Sequence, residues 1–345
     1  MIKVLVVDDS AFMRNALVSM LNSDPDIKVI GIARDGIEAV EMTASLKPDI
    51  VTLDVEMPNM DGLEALKRIM AQNPVPVLMV SSLTTEGANA TLDALDIGAI
   101  DFISKDLDDL SVNIVKIKDV LVEKIKIIGK KRIRPTPRVI SAAPLEMPTS
   151  PIKSHKKTGV VIIGSSTGGP KALQTLLSKI PDNFPVPILI AQHMPANFTG
   201  PFAQRLNNLS ALNVKEAEHG EPIQRGTAYI APGRGHMGVL RKKITETVIS
   251  ISADINAYIY RPSVDALILS VLESYSGRVL GVILTGLGND GEKGMKEIKN
   301  KGGSTVVENE DSCIVYGMPK AVVQAGNADK ILHIDDIAGV IINTV

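Results

Sequence analysis

Residues 159–170 read Gly-Val-Val-Ile-Ile-Gly-Ser-Ser-Thr-Gly-Gly-Pro. A short apolar run, Val160 to Ile163, ends in a small-residue turn with adjacent hydroxyls at Ser165 and Ser166. The segment behind it, Lys171-Ala172-Leu173-Gln174-Thr175-Leu176-Leu177, has the apolar spacing of a helix face. Strand, tight turn and helix is how a buried parallel sheet presents a nucleophile at its carboxyl edge. The same geometry also lets backbone N–H groups cradle a phosphate. What the rest of the chain brings to the turn separates the two readings.

Downstream, strand-like runs recur at Val186–Ala191, Ala228–Ala231, Val279–Leu284 and Ser304–Val307, with helical patterns over 170–179, 263–274, 291–300 and 334–343. The stretch Met237–Tyr260 alternates and is rich in β-branched residues, which predicts an antiparallel hairpin. Residues 159–345 therefore read as an α/β domain with a mostly parallel sheet and one antiparallel hairpin. Upstream, Lys3–Val7, Lys28–Ile32, Ile50–Leu53, Val75–Val80 and Asp101–Ser104 are strands separated by segments of helical spacing. Residues 1–122 are thus expected to form a doubly wound, five-stranded parallel (βα)5 domain. Residues 123–158 hold the end of its last helix and then a linker. From 129 to 158 there are five prolines and eight Lys or Arg against one acid, Glu146, with no apolar period.

Bulk composition narrows the classes of function. A 345-residue chain is too long for one ordinary core, so two domains are expected. A net charge of −2 gives no global bias toward nucleic acid or membrane, and with no Trp and 3 % aromatics, stacking on bases is disfavoured. A single cysteine, Cys313, excludes an internal disulfide framework and fits a reducing cytoplasm. The first residues carry no signal-peptide pattern, and no apolar run approaches the roughly 18 residues needed to span a bilayer.

In the first domain, Asp8 and Asp9 end the first strand and Asp54 ends the third. Those strand ends are neighbours in a doubly wound sheet, so three carboxylates meet in one crevice and call for a hard cation such as Mg²⁺. Ser81 and Lys105 end the fourth and fifth strands and face the same crevice. Together these groups suit a phosphoryl group held on a carboxylate. Asp8-Asp9, then Asp54 with Met57-Pro58, then Ser81 and Lys105, resemble the receiver domain of two-component response regulators. The resemblance implies that Asp54 is the phosphoacceptor, that Asp8, Asp9 and Asp54 bind Mg²⁺, and that Ser81 and Phe102 are the switch residues. Asp106 stands where receivers usually place a proline after the lysine.

Many response regulators end in a DNA-binding domain, but residues 159–345 show no compact three-helix pattern and no basic recognition helix. Catalytic groups are the better search. Of the five histidines, His155 lies in the linker, His333 precedes the last helix, His219 sits in a polar loop, and His236 follows Pro232-Gly233-Arg234-Gly235. His193 alone directly follows a buried strand, in the same layer as the serine turn. Asp290 lies in Thr285-Gly286-Leu287-Gly288-Asn289-Asp290-Gly291, again after an apolar strand. Serine, histidine and aspartate at three strand ends suit a nucleophile, a base and an orienter. Spacing does not choose between Ser165 and Ser166. The competing reading, a nucleotide site, lacks both a Gly-x-Gly-x-x-Gly fingerprint and a Walker Lys-Ser/Thr pair.

The motifs Gly164-Ser165-Ser166-Thr167-Gly168-Gly169, Gln192-His193-Met194-Pro195, Ile230-Ala231-Pro232-Gly233, Arg261-Pro262-Ser263-Val264-Asp265 and Thr285-Gly286-Leu287-Gly288-Asn289-Asp290-Gly291 closely resemble the CheB family. These are chemotaxis response regulators that are protein-glutamate methylesterases, and the resemblance covers essentially the whole chain. It implies that Ser166 is the nucleophile, His193 the base and Asp290 the orienter, with Leu287 and Thr167 at the oxyanion. It implies methyl-esterified glutamates on chemoreceptor cytoplasmic helices as substrates, glutamine deamidation as a further activity, and a chemotaxis histidine kinase as phosphodonor. It implies no cofactor for the ester chemistry, no nucleic-acid partner, no membrane insertion and a monomer. Ser165 stands where the family often has Ala, and Leu287 where it often has Met. A non-enzymatic module whose binding is controlled by phosphorylation is the alternative.

Overall fold

The computed structural model describes residues 1–82, 84–105, 113–130, 158–243, 246–253 and 258–345. The chain divides into two compact units, 1–142 and 143–345. The proline-rich segment 131–157 and Asp106 lie outside the described residues.

The first unit alternates β1 (Ile2–Val7), α1 (Ala11–Asn22), β2 (Ile27–Ala33), α2 (Gly36–Leu46), β3 (Ile50–Asp54), α3 (Gly62–Gln72), β4 (Val77–Ser81), α4 (Thr85–Ile97), β5 (Asp101–Ser104) and α5 (Asn113–Ile128). Strand order is β2-β1-β3-β4-β5, and every pairing is parallel. The (βα)5 expectation is met. Each residue of β3 is buried, as expected for a central strand covered on both faces. Helices α1 to α4 begin at the side-chain caps Ser10, Asp35, Asp61 and Thr84, which accept N–H groups that the first helical turn cannot use. The expected boundary at 122 falls inside α5, whose Leu121, Ile125 and Ile128 are buried with Val4, Val6, Ile50 and Leu78. The chain leaves β1 for one edge and then crosses to β3 on its other side, so the crevice for a ligand opens between the carboxyl ends of β1 and β3.

The second unit runs β6 (Val160–Ser165), α6 (Gly169–Leu177), β7 (Ile188–Gln192), α7 (Ala196–Leu209), β8 (Asn213–Glu216), β9 (Thr227–Ile230), β10 (His236–Lys243), β11 (Glu246–Ser252), α8 (Val264–Tyr275), β12 (Val279–Ile283), α9 (Glu292–Asn300), β13 (Ser304–Glu308), α10 (Met318–Gln324), β14 (Lys330–Leu332) and α11 (Ile334–Thr344). Seven strands pair in parallel in the order β14-β13-β12-β6-β7-β9-β8. Antiparallel pairing among named strands of the described residues is confined to β10 and β11. This hairpin lies on α8, where Val239 N–H donates to Ser270 Oγ at 2.9 Å.

Strand β6 is the centre of this sheet. The chain builds outward from it through β7 to one edge, then returns and builds through β12 to the other. The ends of β12, β6 and β7 are therefore adjacent, and they carry the Asp290, serine and His193 turns. Close packing needs Gly164. A Cβ there would lie 2.4 Å from Val264 Cγ1 and 2.9 Å from Ile283 Cδ1. The missing side chain lets the start of α8 seat against β6. Gly164→Ala is expected to destabilise the protein by about 1–3 kcal/mol, as overpacking does, read as a lower urea midpoint at unchanged slope.

Candidate active site

The two serines are distinguished by burial and bonding. Ser165, the last residue of β6, is wholly buried and its hydroxyl donates to Gln192 Oε1 at 2.7 Å. Ser166 is partly exposed and its backbone is held on three sides. Its N–H donates to Thr285 O at 3.0 Å, and its carbonyl accepts from Gly169 N at 2.8 Å and from Gln192 Nε2 at 3.0 Å. The Ser166 backbone is fixed while its side chain stays at the surface of the turn. Helix α6 begins directly behind it at Gly168, so the positive end of the helix dipole lies at this turn.

His193 follows β7, and its N–H donates to Ser165 O at 3.0 Å, which extends the ladder between β6 and β7 by one bond. Its Nε2 is 2.8 Å from Asp290 Oδ2. Its Nδ1 is buried and, among the described residues, has no hydrogen-bond partner. The imidazole lies flat on Tyr260, with ring centroids 4.5 Å apart and planes 5° from parallel.

Asp290 sits against the N-terminus of α8. Its Oδ1 accepts from Ser263 Oγ at 3.1 Å and from Asp265 N at 3.0 Å, and its Oδ2 accepts from Val264 N at 2.7 Å. Burial alone would raise its pKa. The His193 hydrogen bond and charge and the α8 N–H groups overcome that and hold the carboxyl below the usual range. Asp265 returns the favour to the next helix, its Oδ1 accepting from Gly294 N at 2.7 Å in the first turn of α9. Here burial wins. With help from the neighbouring Asp290 charge, it pushes the Asp265 carboxyl up to about 6.

The opposite wall is the turn after β12. Gly286 abuts the Ser166 turn: a Cβ there would lie 2.8 Å from Ser166 Cβ and 3.0 Å from Ser166 N. Thr285 Oγ1 donates to Thr167 O at 2.8 Å, and Thr285 N donates to the buried Glu308 Oε2 at 2.8 Å. Burial raises the Glu308 pKa. The sequence assigns no role to Tyr260 or Glu308, nor to Gln192 beyond its place in the Gln192-His193-Met194-Pro195 motif. Gln192 and Glu308 had one usable signal, a polar residue ending an otherwise apolar strand; Tyr260 had none.

In the first unit, oxygen atoms of Asp8, Asp9 and Asp54 lie within 4.8 Å of one another, with Asp8 and Asp54 buried. Lys105 Nζ is 2.9 Å from Asp8 Oδ2 and 2.6 Å from Asp54 Oδ2. Three carboxylates against one ammonium leave a surplus of negative charge, and the donors are all hard oxygens, which fits a divalent cation such as Mg²⁺. Burial, reinforced by the Asp8 charge, pushes Asp54 up to about 6 despite Lys105. The Ser81 hydroxyl is turned to the backbone, donating to Ser82 O and Gly87 O, both at 3.2 Å, rather than to Asp54. Phe102 is buried on β5.

Comparison with known proteins gives the same division. Residues 161–341 match the family model described as CheB methylesterase, and residues 4–114 match the response regulator receiver domain. The chain is 51 % identical, over 99 % of both chains, to protein-glutamate methylesterase/protein-glutamine glutaminase 2 of Nitratidesulfovibrio vulgaris. It is 43 % identical to a protein of Pyrococcus horikoshii with that same enzyme designation, over 100 % of this chain and 94 % of the other. The catalytic domain of Thermotoga maritima CheB methylesterase matches in structure with a TM-score of 0.53 and 40 % identity, over 55 % of this chain and all of that one.

The raised Asp265 carboxyl has a defined consequence for stability. A folded pKa of about 6 against an unfolded value near 3.9 means that the folded state holds this proton more tightly. Its contribution is fully present below about pH 4 and is lost as pH rises through 6, by an amount on the order of 3 kcal/mol. Asp265→Asn keeps an acceptor for Gly294 and removes that dependence. Urea midpoints of wild type and variant from pH 4 to 7 are expected to diverge, with the variant the more stable at pH 7.

Proposed function

The chain belongs to the CheB methylesterase family and carries a response regulator receiver domain, so it is a phosphorylation-regulated protein-glutamate methylesterase/protein-glutamine glutaminase, and we propose how its residues divide that work. Ser166 is the nucleophile, His193 the general base and acid, and Asp290 the orienter. The observation that carries this assignment is the part-buried His193–Asp290 pair, 2.8 Å apart, beside a turn whose serine backbone is clamped. With Nε2 engaged by Asp290, Nδ1 is the nitrogen left to accept the serine proton.

Ser166 Oγ attacks the carbonyl carbon of the glutamate methyl ester as its proton passes to His193 Nδ1. The resulting imidazolium is stabilised by the ionised Asp290. The carbonyl oxygen becomes an oxyanion facing the backbone N–H groups of Leu287 and Thr167, near the positive end of α6. Collapse breaks the bond to methoxide, which takes the proton from His193 and leaves as methanol. Water then attacks the acyl-serine, with His193 first removing and then returning a proton, and a free glutamate is released. A glutamine amide follows the same course with ammonia leaving. A purely binding module would have no use for a part-buried, charge-stabilised histidine–aspartate pair.

Asp54 is the phosphoacceptor. A carboxylate oxygen forms a bond to phosphorus as the bond to the phosphohistidine nitrogen of a chemotaxis histidine kinase breaks. Asp8, Asp9 and Asp54 would hold Mg²⁺, which neutralises phosphoryl charge when bound. Lys105 adds a second positive charge, while Ser81 and Phe102 report the phosphorylated state to the surrounding helices. The substrates are methylated glutamates on cytoplasmic helices of chemoreceptors, which places the enzyme in the cytoplasm, acting as a monomer. Among the described residues no helix is long and apolar enough to cross a membrane.

Methanol release from methylated receptor, with and without a small-molecule phosphodonor, tests these roles. Ser166→Ala is expected to lower release by about 10³-fold or more, whereas Ser165→Ala stays within about tenfold of wild type. Asp54→Asn is expected to abolish stimulation by the phosphodonor. Full stimulation of that variant would refute the phosphoacceptor assignment.

A further inference from the structure

His236 opens β10, 5 % exposed, with its ring set edge-on to Tyr258 at 5.2 Å. Its Nδ1 accepts the N–H of Ser263 at 3.1 Å. Ser263 is the N-cap of α8: its hydroxyl accepts from Ala266 N at 3.2 Å and donates to Asp290 Oδ1 at 3.1 Å. The N–H of an N-cap residue has no partner inside its own helix. In a capping box, a Glu or Gln three residues into the helix reaches back to take it. That position here is Ala266, which has no acceptor. His236, arriving from the hairpin, fills the role.

We infer that His236 is a positioning residue for the hydrolytic triad: its Nδ1 fixes the N-cap of α8, and the fixed N-cap holds Asp290 against His193. The inference rests on the triad reading above. Ser263 Oγ and the N–H groups of Val264 and Asp265 all bond Asp290, and all three belong to consecutive residues at that cap. Movement of the cap therefore displaces every α8 donor to Asp290 together. The accepted N–H also dictates the tautomer, since Nδ1 must be unprotonated while Nε2 carries the ring proton.

The two ring nitrogens are tested separately by amide replacements. His236→Asn puts an oxygen near the Nδ1 position, while His236→Gln puts one near Nε2 and His236→Ala supplies neither. The readouts are the rate of covalent labelling of Ser166 by a fluorophosphonate, and kcat and KM for methanol release, at 25 °C on variants shown to be folded. Asn is expected to stay within about threefold of wild type. Gln and Ala are expected to lower labelling rate and kcat by roughly five- to thirtyfold, with KM little changed. Equal labelling of all three variants and wild type would overturn the inference and leave the triad standing. Failure of wild type itself to label would overturn the triad reading instead. Should Gln and Ala not fold, ¹⁵N shifts of the His236 ring in wild type decide. An unprotonated Nδ1 supports the role, and a protonated Nδ1 rules it out.

Discussion

Two helix N-termini exchange carboxylates at the centre of the catalytic unit. Asp290, just ahead of α9, accepts the N–H groups at the start of α8, and Asp265, in the first turn of α8, accepts Gly294 N–H in the first turn of α9. Each helix thus supplies the counter-charge for the other's unused donors. The arrangement settles three things at once. It locks the two helices in register, it keeps Asp290 charged in a buried place, and it aims the remaining Asp290 valence at His193. Burial has a cost, to which the neighbouring Asp290 charge adds, since the Asp265 carboxyl is pushed up to about 6. The asymmetry follows from the donors: Asp290 has three from α8 as well as His193, and Asp265 has fewer.

Each of the two sheets places its chemistry where the strand order reverses, between β1 and β3 in one and around β6 in the other. The electrostatic problems are opposite. The first crevice gathers three carboxylates around a single ammonium and is left wanting positive charge. The second surrounds one carboxylate with N–H groups and an imidazole, so that positive charge forming on the ring meets a ready partner.

Much of this was legible in the chain. Apolar runs ending in Asp8, Asp54, Ser166 and His193 announce both the strands and what stands at their ends, because a parallel sheet buries its strands and exposes only their tips. Asp290 could be read for the same reason. The different settings of Ser165 and Ser166 could not, since they depend on Gln192, a partner 27 positions away that claims the first hydroxyl. The edge strands β8 and β14 are not legible because Asn213-Val214-Lys215-Glu216 holds a single apolar residue and Lys330–Leu332 is only three residues long. Helix α7 was hidden by Gly200 and Pro201, residues that ordinarily interrupt a helix. The contacts of Tyr260 and Glu308 come from segments distant in sequence, where local pattern carries no information.

The stacking of His193 on Tyr260 limits how the imidazole can move. Catalytic histidines are sometimes pictured as swinging between the nucleophile and the leaving group. Here one face of the ring lies against a phenol 4.5 Å away, and the same phenol fills the space above Gly288, where a Cβ would sit 2.4 Å from its oxygen. Rotation of the imidazole would require the tyrosine to leave both neighbours. In the proposed mechanism, with the ring stationary, the departing alcohol or ammonia has to come to Nδ1. Under those roles, proton delivery becomes a matter of how the substrate chain enters the cleft, and selectivity among glutamates would be decided partly by which of them can bring its leaving group to that one atom.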